Sequence, residues 1–203
     1  MPDGVQDDFR TTELDADLLS TPFRIQTNWH VITGAPCSGK TTLIDQLASR
    51  GFQTAPETAR LYFSSEMAKG RTIAEALENI PARQRGIVDA QVSTEGGLHP
   101  LDVVFLDRGV PDSLAFNRAY GLDPNDILLD CFHHRYASVF LLAPLPFRQD
   151  GARDGDAADV GYLDAWLARD YTALGYRVLR VPAVSPQERL AFVLEALAEQ
   201  GPI

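Results

Sequence analysis

The chain has 203 residues, 45% of them hydrophobic and 23% charged, with a net charge of −10. Such a length supports one substantial core, and the composition is that of a globular domain. The acidic balance argues against a broad nucleic-acid surface or an anionic lipid surface, both of which need clustered Lys and Arg.

A few local cations are still enough to bind a nucleotide. Two cysteines make no disulfide framework. The chain opens on acidic MPDGVQDD with no signal-peptide pattern. Its longest strongly apolar stretch, near 139–147, holds two prolines and is too short to span a bilayer. The expectation is a soluble, cytoplasmic protein in a reducing compartment.

Residues 1–24 are polar and acidic and read as a mobile arm, with Leu14, Leu18 and Leu19 able to form one short amphipathic helix. Residues 25–203 read as a single domain. Its first strand, with β-branched Val31, Ile32 and Thr33, leads into Gly34-Ala35-Pro36-Cys37-Ser38-Gly39-Lys40-Thr41-Thr42. This fits G-x-x-x-x-G-K-[ST], the P-loop pattern, and Leu43, Ile44 and Leu47 give the helix that follows its apolar stripe. Glycines let successive N–H groups turn inward around phosphate oxygens, and the helix N-terminus adds its dipole. Lys40 would reach the β- and γ-phosphates and the Thr41 hydroxyl would ligate Mg²⁺. Cys37 reads as a small reduced loop residue that could make the site sensitive to oxidation.

Gly51 ends that helix, and residues 52–55 form a short second strand leading to Pro56-Glu57. Helical patterning runs over 58–69, stops at Gly70, and resumes over 73–80 and, from Pro81, over 81–95. Residues 101–106 are a near-continuous apolar run, as in a central parallel strand, ending at Asp107-Arg108-Gly109. Helices are expected over 111–120 and 124–134, a strand over 137–143, and a loop rich in Pro, Gly, Arg and Asp over 144–159. A helix over 162–174, a strand over 177–181 and a closing amphipathic helix over 186–200 complete the chain. Strands alternating with helices predict a parallel sheet covered on both faces, with ligands beyond the carboxyl ends of the strands.

The candidate polar groups fall at those ends. Asp107 either holds Mg²⁺, directly or through water, or caps the following helix; the P-loop favours the metal. Arg108 either points its guanidinium fork into the same cleft or lies at the surface. Glu57 can accept the proton of an attacking hydroxyl, or form a plain surface pair with Arg60 three residues on. Arg148 and Arg153 either belong to a lid that brings positive charge to a transferring phosphoryl group or to a solvated loop of mixed charge. Gln84 and Gln91 share one helix face, turned to a small ligand or to solvent. His133 and His134 lack metal-ligand spacing, and Val181-Pro182-Ala183-Val184, after the last strand, suits a backbone wall for a nucleobase, with Pro182 as its candidate contact.

The segments GAPCSGKTT, Pro56-Glu57-Thr58-Ala59-Arg60, Leu106-Asp107-Arg108-Gly109, Phe147-Arg148-Gln149-Asp150-Gly151-Ala152-Arg153 and Leu174-Gly175-Tyr176-Arg177-Val178 with Val181-Pro182 carry a family resemblance. From Trp29 onward the chain resembles AAA-ATPase-like P-loop domains related to the nicotinamide riboside kinase domain and the TRPL translocation defect protein. The resemblance implies a three-layer α/β nucleoside- or shikimate-kinase-like core, with a five-stranded parallel sheet of order 2-3-1-4-5 and a lid. It would make Glu57 and Arg108 acceptor-side residues and Arg148 and Arg153 lid residues.

Two functions compete. One is a Mg²⁺–ATP-dependent phosphotransferase acting on a small hydroxyl-bearing metabolite such as a nucleoside. The other is a nucleotide-binding switch or slow NTPase acting through a protein partner. No N-K-x-D motif selects guanine, so ATP is expected over GTP.

Overall fold

The computed structural model describes residues 9–145 and 157–199. Five strands make the central sheet: β1 (Trp29–Thr33), β2 (Gln53–Ala55), β3 (Val104–Asp107), β4 (Ser138–Leu142) and β5 (Val178–Val181). All neighbours are parallel and their order is β2-β3-β1-β4-β5, the arrangement expected from the resemblance. The helices are α1 (Lys40–Ser49), α2 (Thr58–Ala68), α3 (Ile73–Glu78), α4 (Ile80–Gly96), α5 (Asp112–Ala119), α6 (Ala157–Ala173) and α7 (Pro186–Ala198). Among the described residues no helix is long and apolar enough to cross a membrane.

Alternation along the strands sorts the core. Ile32, Phe105, Phe140 and Leu142 meet Leu43, Ile44 and Leu47 of α1 and Leu190, Val193 and Leu197 of α7. Their neighbours Val31, Val104, Leu106 and Val139 face the other way, onto Val88 of α4, Leu114 of α5 and Tyr171 of α6. Residues that face no solvent on either side explain why β1, β3 and β4 read as unbroken apolar runs. Pairing of Ile32 with Asp107 and of Thr33 with Leu141 brings the carboxyl ends of the three central strands level, so the loops leaving them share one edge.

The structure departs from the sequence reading in three places. Residues 124–134 are not an α-helix: Pro124–Phe132 is 3₁₀, started by the Asp123 side chain accepting from Asn125 N–H. His134–Arg135 then pairs in parallel with Ile25–Gln26 as a separate two-stranded ribbon. The helix expected from residue 162 begins at Ala157, inside the stretch read as loop.

The third concerns the segment read as a mobile arm, which lies packed against the domain from residue 9. Asp15 caps a helical turn over Ala16–Leu19, and Leu14, Leu18, Leu19 and Phe23 pack on the core. Buried Arg118 donates from Nε to Thr12 O at 2.7 Å. The Phe23 ring sits 5.1 Å from Phe132 and 5.7 Å from Tyr176, under the Arg135 guanidinium. Apolar surface removed from water, not local propensity, fixes this segment.

Replacing Phe23 by Ala should therefore cost about 2–3 kcal/mol, at the low end for a half-buried aromatic. It should also open residues 9–24 to proteolysis under native conditions. Unchanged denaturant midpoint and unchanged protease resistance would show that the segment is not held by this ring.

Candidate active site

The loop between β1 and α1 has the backbone its sequence demands. Gly34 has φ 148°, and a Cβ there would stand 2.8 Å from Ser38 Oγ and 2.9 Å from the Leu142 carbonyl oxygen, a backbone atom that cannot step aside. Gly39 has φ 89° and opens α1 with no side-chain cap, leaving the helix N-terminus bare for an anion. Ser38 is fully buried. Its carbonyl accepts from Arg189 Nη1 of α7, whose Nη2 also donates to Ala143 O at 3.2 Å. Carbonyl and N–H point opposite ways across a trans peptide, so the hold on Ser38 O turns the Gly39 N–H away from α7.

Lys40 is buried, and its ammonium donates to Gly34 O at 3.0 Å and Ala35 O at 2.9 Å. Burial, aided by nearby Arg108, lowers its pKa to about 8 against the pull of Asp107 and Asp112. Asp107 ends β3 beside it. Burial, reinforced by Glu57, pushes that carboxyl up to about 6. Its Oδ1 is buried with no hydrogen-bond partner among the described residues. Asp107 caps no helix. The Gly109 N–H ahead of α5 is instead taken by Asp112 Oδ2 at 3.2 Å. An orphaned buried carboxylate oxygen beside an exposed threonine hydroxyl, Thr41, is the hard oxygen donor set a Mg²⁺ ion takes.

Arg108 has φ 76°, a strained turn for a side-chain-bearing residue. Its guanidinium is nearly closed off from water. Nη1 donates to Asp112 Oδ1 at 2.9 Å and Gly34 O at 3.1 Å, and Nε donates to Glu57 Oε1 at 3.3 Å. Burial pulls against its charge, yet Asp112 and Glu57 outweigh this and hold its pKa above the ordinary value. Glu57 also pairs through Oε2 with exposed Arg60 at 3.1 Å. Both readings of that pair thus coexist: the ion pair is real, and Glu57 still faces the cleft.

Pro36, Cys37, Lys40, Thr41, Glu57, Asp107 and Arg108 all line one cavity of about 430 Å³. The same cavity is lined by Phe63 of α2, Arg83, Gln84 and Gln91 of α4, and Phe116 and Tyr120 of α5 and its end. Gln84 and Gln91 are buried and face this space rather than solvent. Gln91 is tied down: it accepts from Thr58 Oγ1 and donates to Glu95 Oε1 and Arg108 O. Gln84 makes no side-chain hydrogen bond among the described residues. His134 is a packing residue, buried against Glu95 at 3.2 Å.

Gly34, Ala35 and Ser38 form the loop without lining that cavity. Gly39 and Thr42 line a separate hollow of about 90 Å³, with Gln46, Val184, Pro186 and Arg189. Pro182, expected to wall a nucleobase, is exposed and lines neither space; the chain reaches the hollow two residues later. Arg148 and Arg153 lie outside the described residues. Sequence reading missed Arg83, Phe63, Phe116, Tyr120, Asp112 and Arg189. Asp112, three residues past Gly109, was the most findable, because the first turn of a helix after a strand end is where an acidic residue caps a turn.

A family model described as an AAA domain matches residues 29–189. No curated protein matches in a sequence search. Among solved structures, the deoxyadenosine kinase from M. mycoides with products dCMP and a flexible dCDP bound superimposes with TM-score 0.61. It is 13% identical over 85% of this chain and 100% of its own. A NadR protein in complex with NR gives TM-score 0.65 at 19% identity, covering 87% of this chain and 52% of that one. This chain thus spans about half the length of that NadR protein. Shikimate kinase from Aquifex aeolicus gives 0.50 at 14% identity, over 85% of this chain and 97% of that one. At such identities the likeness is one of fold. The matched span covers most of the chain and includes the P-loop, and the protein belongs to the AAA domain family of P-loop proteins.

Proposed function

We propose that the protein is a phosphotransferase that moves the terminal phosphoryl group of ATP to a hydroxyl of a small, nucleoside-sized metabolite. The observation that carries this is the breadth of the one cavity. Lys40, Asp107 and Glu57 share it with the aromatic and amide side chains of Phe63, Phe116, Tyr120, Gln84 and Gln91, more lining than the phosphates of a nucleotide need. A nucleotide switch has no use for that extra buried space, whereas an acceptor does. The fold shared with kinases for deoxyadenosine and shikimate supports the class of reaction without choosing the acceptor.

In this reading Lys40 exchanges the carbonyls of Gly34 and Ala35 for phosphate oxygens, and the P-loop N–H groups hold the same phosphates. Thr41 and Asp107 would hold Mg²⁺, which supplies positive charge between the phosphate oxygens. Arg108, fixed by Asp112, presents its guanidinium to the same cavity. Glu57 takes the proton of the acceptor hydroxyl as the new O–P bond forms and the bond to the leaving ADP breaks.

Glu57→Gln should lower turnover by about 10²–10⁴-fold while leaving Mg²⁺–ATP affinity within about threefold. The assay is acceptor-stimulated ADP release across nucleosides and hydroxylated vitamins, with GTP as the alternative donor. Substantial transfer by the variant would end the role of Glu57 as base. Hydrolysis that responds to a protein partner but to no metabolite would replace the kinase with the switch.

Phosphate beside Lys40 should restore its pKa towards the usual lysine range. Nucleotide binding without Mg²⁺ at pH 8 should then take up close to half a proton, because the free lysine, at about 8, is half deprotonated there. The uptake should fade by pH 6.5, where Lys40 is already charged. Calorimetry in buffers of different ionisation enthalpy reads this directly. Lys40→Met should abolish it, and a heat at pH 8 that is independent of buffer would refute it.

A further inference from the structure

The cavity lining contains a cation that no carboxylate among the described residues answers. Arg83 on α4 is 6% exposed. Its guanidinium lies 4.6 Å over the Tyr120 ring, and only Nη1 is engaged, donating to Leu77 O at 3.3 Å. The other cations lining the cavity are provided for. Arg108 is shared between Glu57 and Asp112, Arg60 sits on Glu57, and Lys40 rests on loop carbonyls with Asp107 beside it. Arg83 has no carboxylate within ion-pair distance among the described residues. Next to it, Gln84 is 5% exposed with its amide unengaged.

A buried cation without a counter-charge is costly, and a guanidinium fork matches the two oxygens of a carboxylate or phosphate. Tyr120 beneath it fixes the plane of the fork and excludes water from one face. Arg83 and Gln84 line the same cavity as Glu57. Building on the phosphotransferase reading, we propose that the acceptor is an anion. Its carboxylate or phosphate ester pairs with Arg83, Gln84 binds a polar group beside it, and its hydroxyl lies towards Glu57.

Matched pairs differing by one anionic group test this: uridine with orotidine, methyl shikimate with shikimate, and ribose with ribose 5-phosphate. The first two carry the charge as a carboxylate and the third as a phosphate ester. Equilibrium binding and phosphoryl transfer from Mg²⁺–ATP are measured for wild type, Arg83→Met and Arg83→Lys. The thermal shift with Mg²⁺–ATP confirms that each variant is folded.

In at least one pair the anionic member should bind about tenfold or more tightly than its neutral partner. Arg83→Met should erase that preference and Arg83→Lys should keep part of it. Equal or tighter binding of the neutral members across the pairs overturns the proposal, as does a preference that survives Arg83→Met. Efficient phosphorylation of neutral members alone would leave the kinase standing and remove the anion. An anion bound through Arg83 with no transfer to any compound would do the reverse.

Discussion

The carboxylate of Asp112 is the junction on which the site depends. It is 2% exposed and accepts from Thr33 Oγ1 at 2.6 Å, Arg108 Nη1 at 2.9 Å, Gly109 N at 3.2 Å and Tyr171 OH at 2.7 Å. Those donors come from the end of β1, the turn after β3 and the last turn of α6, and they meet the first residue of α5. A buried carboxylate short of partners would cost several kcal/mol, so these segments have one low-energy arrangement relative to one another. Through Arg108 the order reaches the Gly34 carbonyl, and so the P-loop itself. The strained φ of Arg108 is held by this network, with Asp112 and Gly34 on its side chain and Gln91 and Ile32 on its backbone.

Charges inside the cavity are set against their surroundings rather than in balance with them. Burial works against charge on both Lys40 and Asp107, drawing one pKa down and the other up. Each group therefore gains from a partner of opposite sign: phosphate for the lysine, a cation for the carboxylate. The protein's own ion pair of Arg118 with Asp170, both buried, differs. Burial raises the Asp170 pKa to about 6 even though Arg118 lies 2.6 Å away. Its value lies less in net stability than in placing Arg118 between Trp166 and the Thr12 carbonyl, which fastens residues 9–24.

Much of the fold was legible because it is written locally. Val31-Ile32-Thr33, the P-loop glycines, Gly51 and Gly70 act over a few residues, and strand order followed from the family resemblance. The edge that lines the cavity was legible for the same reason: Lys40 follows β1 through the P-loop, Glu57 follows β2, and Asp107 and Arg108 lie at the end of β3. What escaped reading is set by partners far along the chain. Phe23 looks like part of a polar arm until Phe132 and Tyr176 are placed beside it. Arg83 looks like a surface charge next to Pro81 until α5 brings Tyr120 under it. The 3₁₀ stretch over Pro124–Phe132 escaped because its apolar residues suit either helix, and crowding against α5 and α4 decides. Within Val181-Pro182-Ala183-Val184, Pro182 is exposed while Val184 lines the smaller hollow, a difference that pattern alone does not decide.

The grip of Arg189 on Ser38 spans 151 positions of sequence. On a ribosome adding about 5–20 residues per second, Ser38 therefore waits roughly 8–30 s for its partner to be made. The loop with the most specific local sequence in the chain is thus among the last parts to reach its final shape. Until α7 docks, the peptide after Ser38 is free to rotate, and a nascent chain has the pattern of a P-loop without its geometry.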